Sequence, residues 1–226
     1  MKLNMKSKAV GIAAVTGALV MVAGTSAVAS GVNVGVSVWG SSAAGTHSLD
    51  AATTSGVAFA AGSATMSCVS SSVAATDGAI VNSGPAASVL NVVQLPVVKF
   101  NTCTGPGGSN TVTQLTTPWN LHVTSGQTAG STDILVGHVD NVSARVSTAI
   151  SSVCTFTVAG RASATYNEAT GVLSVNESGM TGNLTIGSVT GCGGNFEIGD
   201  PADFVANYQV SKVASSNFAA GAINVF

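Results

Sequence analysis

The chain has 226 residues, of which 46% are hydrophobic and 27 are Gly, but it carries only 7 Lys or Arg and 9 Asp or Glu, for a net charge of −2. It is too apolar for a disordered acidic tail, and it lacks the basic excess that nucleic-acid binding requires. A charged share of 7% is also far below that of an ordinary soluble domain.

The N-terminus supplies Lys2, Lys6 and Lys8, an apolar run from Ala9 to Gly24, and Thr25-Ser26-Ala27-Val28-Ala29 with small residues where an A-x-A site needs them. This is the pattern of a secretory signal peptide over residues 1–29, cleaved after Ala29. The remainder, 30–226, is expected to be a single β-rich extracellular domain, with 30–60 as a looser N-terminal strand and loop region. Beyond the signal, the cations are Lys99, Arg145, Arg161 and Lys212 against nine acids, and no second apolar run is long enough for a membrane-spanning helix. The expected location is therefore secreted, extracellular or cell-surface.

Period-2 alternation then dominates. Val32, Val34, Val36 and Val38 alternate with Asn33, Gly35, Ser37 and Trp39. Residues 89–100 are more continuously apolar and contain Pro96, which reads as a bulged strand or two shorter ones. Further strands are expected at 112–115, 119–124, 134–139, 142–146, 155–158, 163–166, 172–175, 184–189 and 204–210. Asp77-Gly78, Ser83-Gly84-Pro85, Gly105-Pro106-Gly107-Gly108, Thr170-Gly171 and Gly199-Asp200-Pro201 mark turns between them. Short β-branched strands separated by such turns predict an all-β fold, an antiparallel β-sandwich or Greek-key barrel.

Cys68, Cys103, Cys154 and Cys192 all lie in the exported part, where disulfides persist. Of the three pairings available, Cys68 with Cys103 and Cys154 with Cys192 is favoured. Each bridge would contribute about 3 to 4 kcal/mol by the chain-entropy argument.

Ser67-Cys68, Phe100-Asn101-Thr102-Cys103-Thr104-Gly105, Pro118-Trp119-Asn120-Leu121, Cys154 with Thr157-Val158-Ala159-Gly160, Gly191-Cys192-Gly193 and Gly199-Asp200-Pro201-Ala202-Asp203-Phe204 carry a resemblance over most of residues 66–210. The chain resembles a family of uncharacterised actinobacterial secreted four-cysteine proteins and is distantly similar to the secreted "activator of alkane oxidation" proteins. The resemblance implies an exported β-rich surface protein. It implies no reaction and supplies no catalytic residues.

The nucleophile elbow, the P-loop, the dinucleotide fingerprint and the zincin helix are all absent from the sequence. His138 and Asp140 share a strand face if their segment is extended, and His122 is a candidate third ligand; the alternative is two exposed polar residues near a Val139-Asp140-Asn141 turn. His47 and Asp50 fall in a segment read as an N-terminal loop. Glu168 and Glu177 flank a turn and strand at a separation compatible with a glycosidase pair, but the chain is poor in aromatic platforms and both read as solvated loop ends. Glu197, Asp200 and Asp203 are weak candidates for Ca²⁺ coordination. Trp119 follows Pro118 and is either a core anchor or a ligand platform; Trp39 ends the first strand and is a second candidate contact.

The expectation from these features is a non-enzymatic protein without a cofactor, serving a structural, adhesive or biofilm/envelope role. Its expected partners are the cell envelope, the extracellular matrix or further copies of itself joined through sheet edges that lack Lys gatekeepers. The alternatives are an extracellular glycan- or hydrophobic-ligand-binding module and, less favoured, a mycolate-envelope β-barrel pore.

Overall fold

The computed structural model describes residues 36–38, 45–83, 92–105, 107–126, 134–148, 154–212 and 223–225, all within the compact unit Gly31–Phe226. In chain order the strands are β1 (Val36–Val38), β2 (Gly45–Thr53), β3 (Val57–Ala61), β4 (Ala64–Val73), β5 (Ile80–Ser83), β6 (Val93–Leu95), β7 (Lys99–Gly105), β8 (Gly108–Gln114), β9 (Trp119–Gly126), β10 (Ile134–Thr148), β11 (Thr155–Asn167), β12 (Val172–Glu177), β13 (Leu184–Thr190), β14 (Ala202–Lys212) and β15 (Ile223–Val225). One 3-10 turn, Ala75–Asp77, lies between β4 and β5. β1 and β15 form a separate antiparallel pair.

The other thirteen strands form one antiparallel sheet that closes on itself. Ten of them make the circuit β14-β2-β5-β6-β9-β10-β8-β7-β4-β3 back to β14, and β11 and β12 span the wall between β10 and β14. The register shows that several strands are halves of longer ones. β14 is flanked along one edge by both β2 and β3, and β10 by both β9 and β8. Likewise β5 and β4 both pair with β2, and β12 and β13 share one edge of β11. Counted as columns, the barrel runs β2/β3, β4/β5, β6/β7, β8/β9, β10, β11, β12/β13, β14, and each column is hydrogen-bonded to its chain neighbour. Of the sandwich and the Greek-key barrel expected, a barrel is formed, but its winding is an up-and-down meander and not a Greek key, because each column pairs with its neighbour in the chain.

The alternation that builds the wall also sorts its faces. Along β11, Phe156, Val158, Ala162, Ala164 and Tyr166 are buried while Ser163 and Thr165 are exposed and Thr157 half-buried. β4 repeats the pattern with Ala64, Met66 and Cys68 inward and Thr65 and Ser67 outward. Alternating apolar and hydroxyl residues thus make a one-sided surface, and closure encloses its apolar side.

Where columns break, ladder hydrogen bonds are lost and side chains replace them, as buried backbone polar groups require. At the β6/β7 break, marked by Pro96, Gln114 accepts from the Val98 N–H at 2.7 Å and donates to the Leu95 carbonyl at 3.1 Å. At the β8/β9 break, Asn141 donates to the Pro118 carbonyl at 2.8 Å, and Asn141 itself (φ 55°) sits in a bulge of β10. At the β4/β5 break, Asp50 accepts from the Ala75 N–H at 2.5 Å. The segment 139–141 is therefore a bulge inside one fifteen-residue strand, not the turn expected, because β11 pairs with β10 on both sides of it. Gly160 lies opposite Val142, with φ 139°, and a Cβ there would stand 2.0 Å from the Asn183 carbonyl oxygen.

Both disulfides have the favoured connectivity, Cys68–Cys103 and Cys154–Cys192. Cys68 and Cys103 are directly opposed across β4 and β7. Phenylalanine rings from β3, β11 and the segment before β14 pack against one another. Phe156 lies 5.9 Å from Phe59 and 4.3 Å from Phe196, and the β3–β4 turn at Gly62 abuts Asn195 and Asp200.

Within 30–60, expected to be a looser N-terminal strand and loop region, the described residues supply the barrel strand β2 and most of β3, so His47 and Asp50 sit on β2. Its pattern was weak because the inward side chains alternate with Thr, Ser and Ala rather than with strongly polar residues. Of the alternating run 32–38, the described part is β1, and Trp39 lies outside the described residues.

Candidate functional site

The barrel interior holds a partly open cavity of about 120 Å³ whose lining is almost wholly apolar. Side chains from every column reach it, among them Leu49, Val81, Leu121, Val146, Val158 and Leu173. Small inward residues leave room: Ala51, Ala144 and Ala162 are buried and line the cavity. Eight-column barrels are just wide enough either to be filled by side chains or to keep space for one small ligand, and here space is kept.

Trp119 is 7% exposed and lines this cavity. It opens β9 opposite Leu95, with Phe100 at 6.4 Å between ring centroids, and Phe100 in turn meets Phe204 edge-on at 6.2 Å. The indole Nε1 is buried without a hydrogen-bond partner among the described residues. Such a donor is costly to leave unmade, by about 1 to 3 kcal/mol. The second polar feature is Tyr208, whose hydroxyl donates to Ser71 Oγ at 3.0 Å inside the wall. Burial pushes the Tyr208 phenol up to about 12, and the bond to Ser71 offsets only part of that rise.

On the outer face of the same wall, the structure brings His122, His138 and Asp140 together. His122 and His138 are directly opposed across β9 and β10, their rings 5.3 Å apart, and Asp140 follows two residues on along the same face. His122 Nε2 lies 2.7 Å from Asp140 Oδ2. The close approach is permitted by Gly137, where a Cβ would stand 1.9 Å from the His122 carbonyl oxygen. Burial lowers the His138 pKa, the neighbouring His122 and Arg161 lower it further, and Asp140 opposes them.

The acidic candidates do not converge. Asp200 accepts from the Glu197 N–H at 2.7 Å and closes its own turn. Asp203 points elsewhere, accepting from the Met180 N–H at 2.8 Å and the Gly179 N–H at 3.3 Å. Their carboxylates are used up in holding loops. Glu168 and Glu177, expected to be solvated, are 7% and 1% exposed. Glu177 accepts from the Ser163 N–H at 2.9 Å, the Ser163 hydroxyl at 2.8 Å, the Asn183 amide at 3.0 Å and the Thr181 hydroxyl. Burial alone would raise its carboxyl, but these bonds outweigh it and hold the pKa below its ordinary value.

Compared with known proteins, the chain matches no family model, no curated protein and no solved structure.

Proposed function

We propose that the protein is an exported, non-enzymatic binding module that takes one small apolar molecule into the barrel, its single polar acceptor facing Trp119. The observation that carries this reading is the apolar cavity of about 120 Å³ lined by the Trp119 ring, whose N–H is buried without a partner among the described residues. An apolar cavity of comparable size, on the order of 150 Å³, is known to stay dry and to bind benzene, which sets the ligand at roughly five or six carbon atoms. The signal-like N-terminus and two disulfides support export. No helix among the described residues is long and apolar enough to cross a membrane.

The polarity of the wall speaks against the pore. A membrane barrel turns its apolar face to lipid and its polar face to the lumen. Here the outer positions of β14 are Asp203, Val205, Asn207, Gln209 and Ser211 and those of β8 are Ser109, Thr111 and Thr113. Polar residues thus predominate outside, with Val205 and the exposed Ile134 and Val136 of β10 as apolar exceptions, while the positions lining the cavity are almost wholly apolar. Within the barrel each column has a neighbour on both sides, so assembly through sheet edges would fall to β13, whose second edge carries the single Thr185–Pro201 bridge, and to the β1/β15 pair.

The test is titration of the oxidised protein with cyclopentanone and with cyclopentane, following the Trp119 indole N–H resonance and the melting temperature. Both ligands should raise the melting temperature, and only the ketone should move the indole proton downfield, saturably. Ala144→Leu, which fills the cavity, should abolish both responses. Absence of a saturable response to either ligand, or an unchanged response in Ala144→Leu, would overturn the proposal.

A further inference from the structure

We infer that His122, His138 and Asp140 form a site for a divalent transition-metal ion of the Zn²⁺ class on the outer wall of the barrel, independent of the interior cavity. The three ligand atoms, one from each side chain, all lie within 4.8 Å of one another. Tetrahedral coordination with bonds near 2.0 to 2.2 Å sets its ligand atoms about 3.3 Å apart, so small side-chain rotations suffice. The backbone has done the rest of the work: cross-strand register pairs the two imidazoles, the period of the strand sets the carboxylate beside them, and the glycine at 137 allows β9 and β10 to approach.

A second observation points the same way. Asn120 is the register partner of Asp140 and shares the outer face with His122 two residues along β9. Its Oδ1 is buried without a hydrogen-bond partner among the described residues. A carbonyl oxygen without a partner, on the residue paired with Asp140 in the register, would serve as a fourth donor, direct or through water. Buried polar atoms without partners are rare enough to call for an explanation, and a cation supplies one.

The ligand set selects the metal. Two imidazoles disfavour Ca²⁺ and Mg²⁺, which take oxygen ligands, and suit Zn²⁺, Cu²⁺, Ni²⁺ and Co²⁺. Asp140 is 37% and His122 13% exposed at the side chain, so the site lies at the surface and an ion can enter without opening the barrel. The thiols do not compete, since all four cysteines are in disulfides. The remaining histidine in the chain is His47, on β2.

The experiment is calorimetric titration of the tag-free, oxidised protein with Zn²⁺ alone, with Ca²⁺ as the comparison, and NMR of the histidine ring resonances in the same samples. The expected result is one Zn²⁺ per chain, no saturable Ca²⁺ binding, and perturbation of the His122 and His138 rings but not of His47. His138→Gln and Asp140→Asn should each weaken Zn²⁺ at least tenfold, while Glu197→Gln leaves it unchanged. Should a variant fail to fold, the ring resonances of the unmodified protein decide. No saturable Zn²⁺ binding, perturbation centred on His47, or full affinity in folded His138→Gln would overturn the assignment.

Discussion

Glu177 is the residue whose replacement should reveal most about how the broken columns are held. It ends β12 beside the β12/β13 interruption and accepts from three residues, Ser163 on β11 and Thr181 and Asn183 in the following turn. Glu177→Ala removes the acceptor and leaves the Ser163 N–H in a site where the carboxyl is 1% exposed. Charge-assisted bonds are worth about 1.5 to 3 kcal/mol each and do not add fully, so a loss of about 3 to 5 kcal/mol is expected at neutral pH. The pH dependence has a definite sign. Because the folded-state pKa lies below its ordinary value of 4.5, the carboxylate's contribution is complete above that value and is lost as pH falls through the lower, folded-state pKa. Urea unfolding at pH 7 and across pH 5 to 2 should show the wild type losing stability on acidification more steeply than Glu177→Gln. A Glu177→Ala variant within about 0.5 kcal/mol of wild type, or identical acid slopes for wild type and Glu177→Gln, would refute the reasoning.

Removing the Cys154–Cys192 bridge by paired Ala substitution, with a sequence separation of 38, should cost about 4 kcal/mol in denaturant unfolding by the chain-entropy relation. Gly137→Ala places a Cβ 1.9 Å from the His122 carbonyl oxygen, so it should lower the melting temperature markedly and weaken Zn²⁺ binding together. Tyr208, with its pKa pushed up to about 12, contributes stability that is complete below the unfolded value near 10 and disappears as pH rises toward 12. Alkaline unfolding should show a loss of about 2 to 3 kcal/mol over that window that Tyr208→Phe lacks. Trp119→Phe keeps an aromatic ring but deletes the unpartnered N–H, and should reduce the preference for cyclopentanone over cyclopentane by about 3- to 10-fold in competition titrations, the worth of one hydrogen bond.

The sequence made the all-β class legible because valine alternation and glycine turns recur throughout, and nearest-neighbour spacing favoured, without fixing, the cysteine pairing that is formed. It did not disclose β2 to β5. In Thr46-His47-Ser48-Leu49-Asp50 and Ser67-Cys68-Val69-Ser70-Ser71, small hydroxyl residues sit on both faces and the period-2 contrast is faint. Closure itself was invisible, since it depends on β14 returning to β2 and β3 across the whole chain length. The cavity has no local signature either: its lining is gathered a few residues at a time from every column. By contrast, the spacing of His138 and Asp140 did carry information, and what it lacked was the register that sets His122 opposite. Glu168 and Glu177 misled because acidic residues near turns are usually solvated, whereas here an interrupted ladder draws Glu177 inward to satisfy orphaned donors.

The central claim is that the barrel interior receives a ligand. Intermolecular NOEs between cyclopentanone and the protein, recorded at saturating ligand, test it most directly. The account predicts contacts from ligand protons to the Trp119 ring and to methyl groups of Leu121, Val146 and Leu173, all cavity-lining. Contacts confined to outer-face residues, or none at a concentration that saturates the thermal shift, would contradict it.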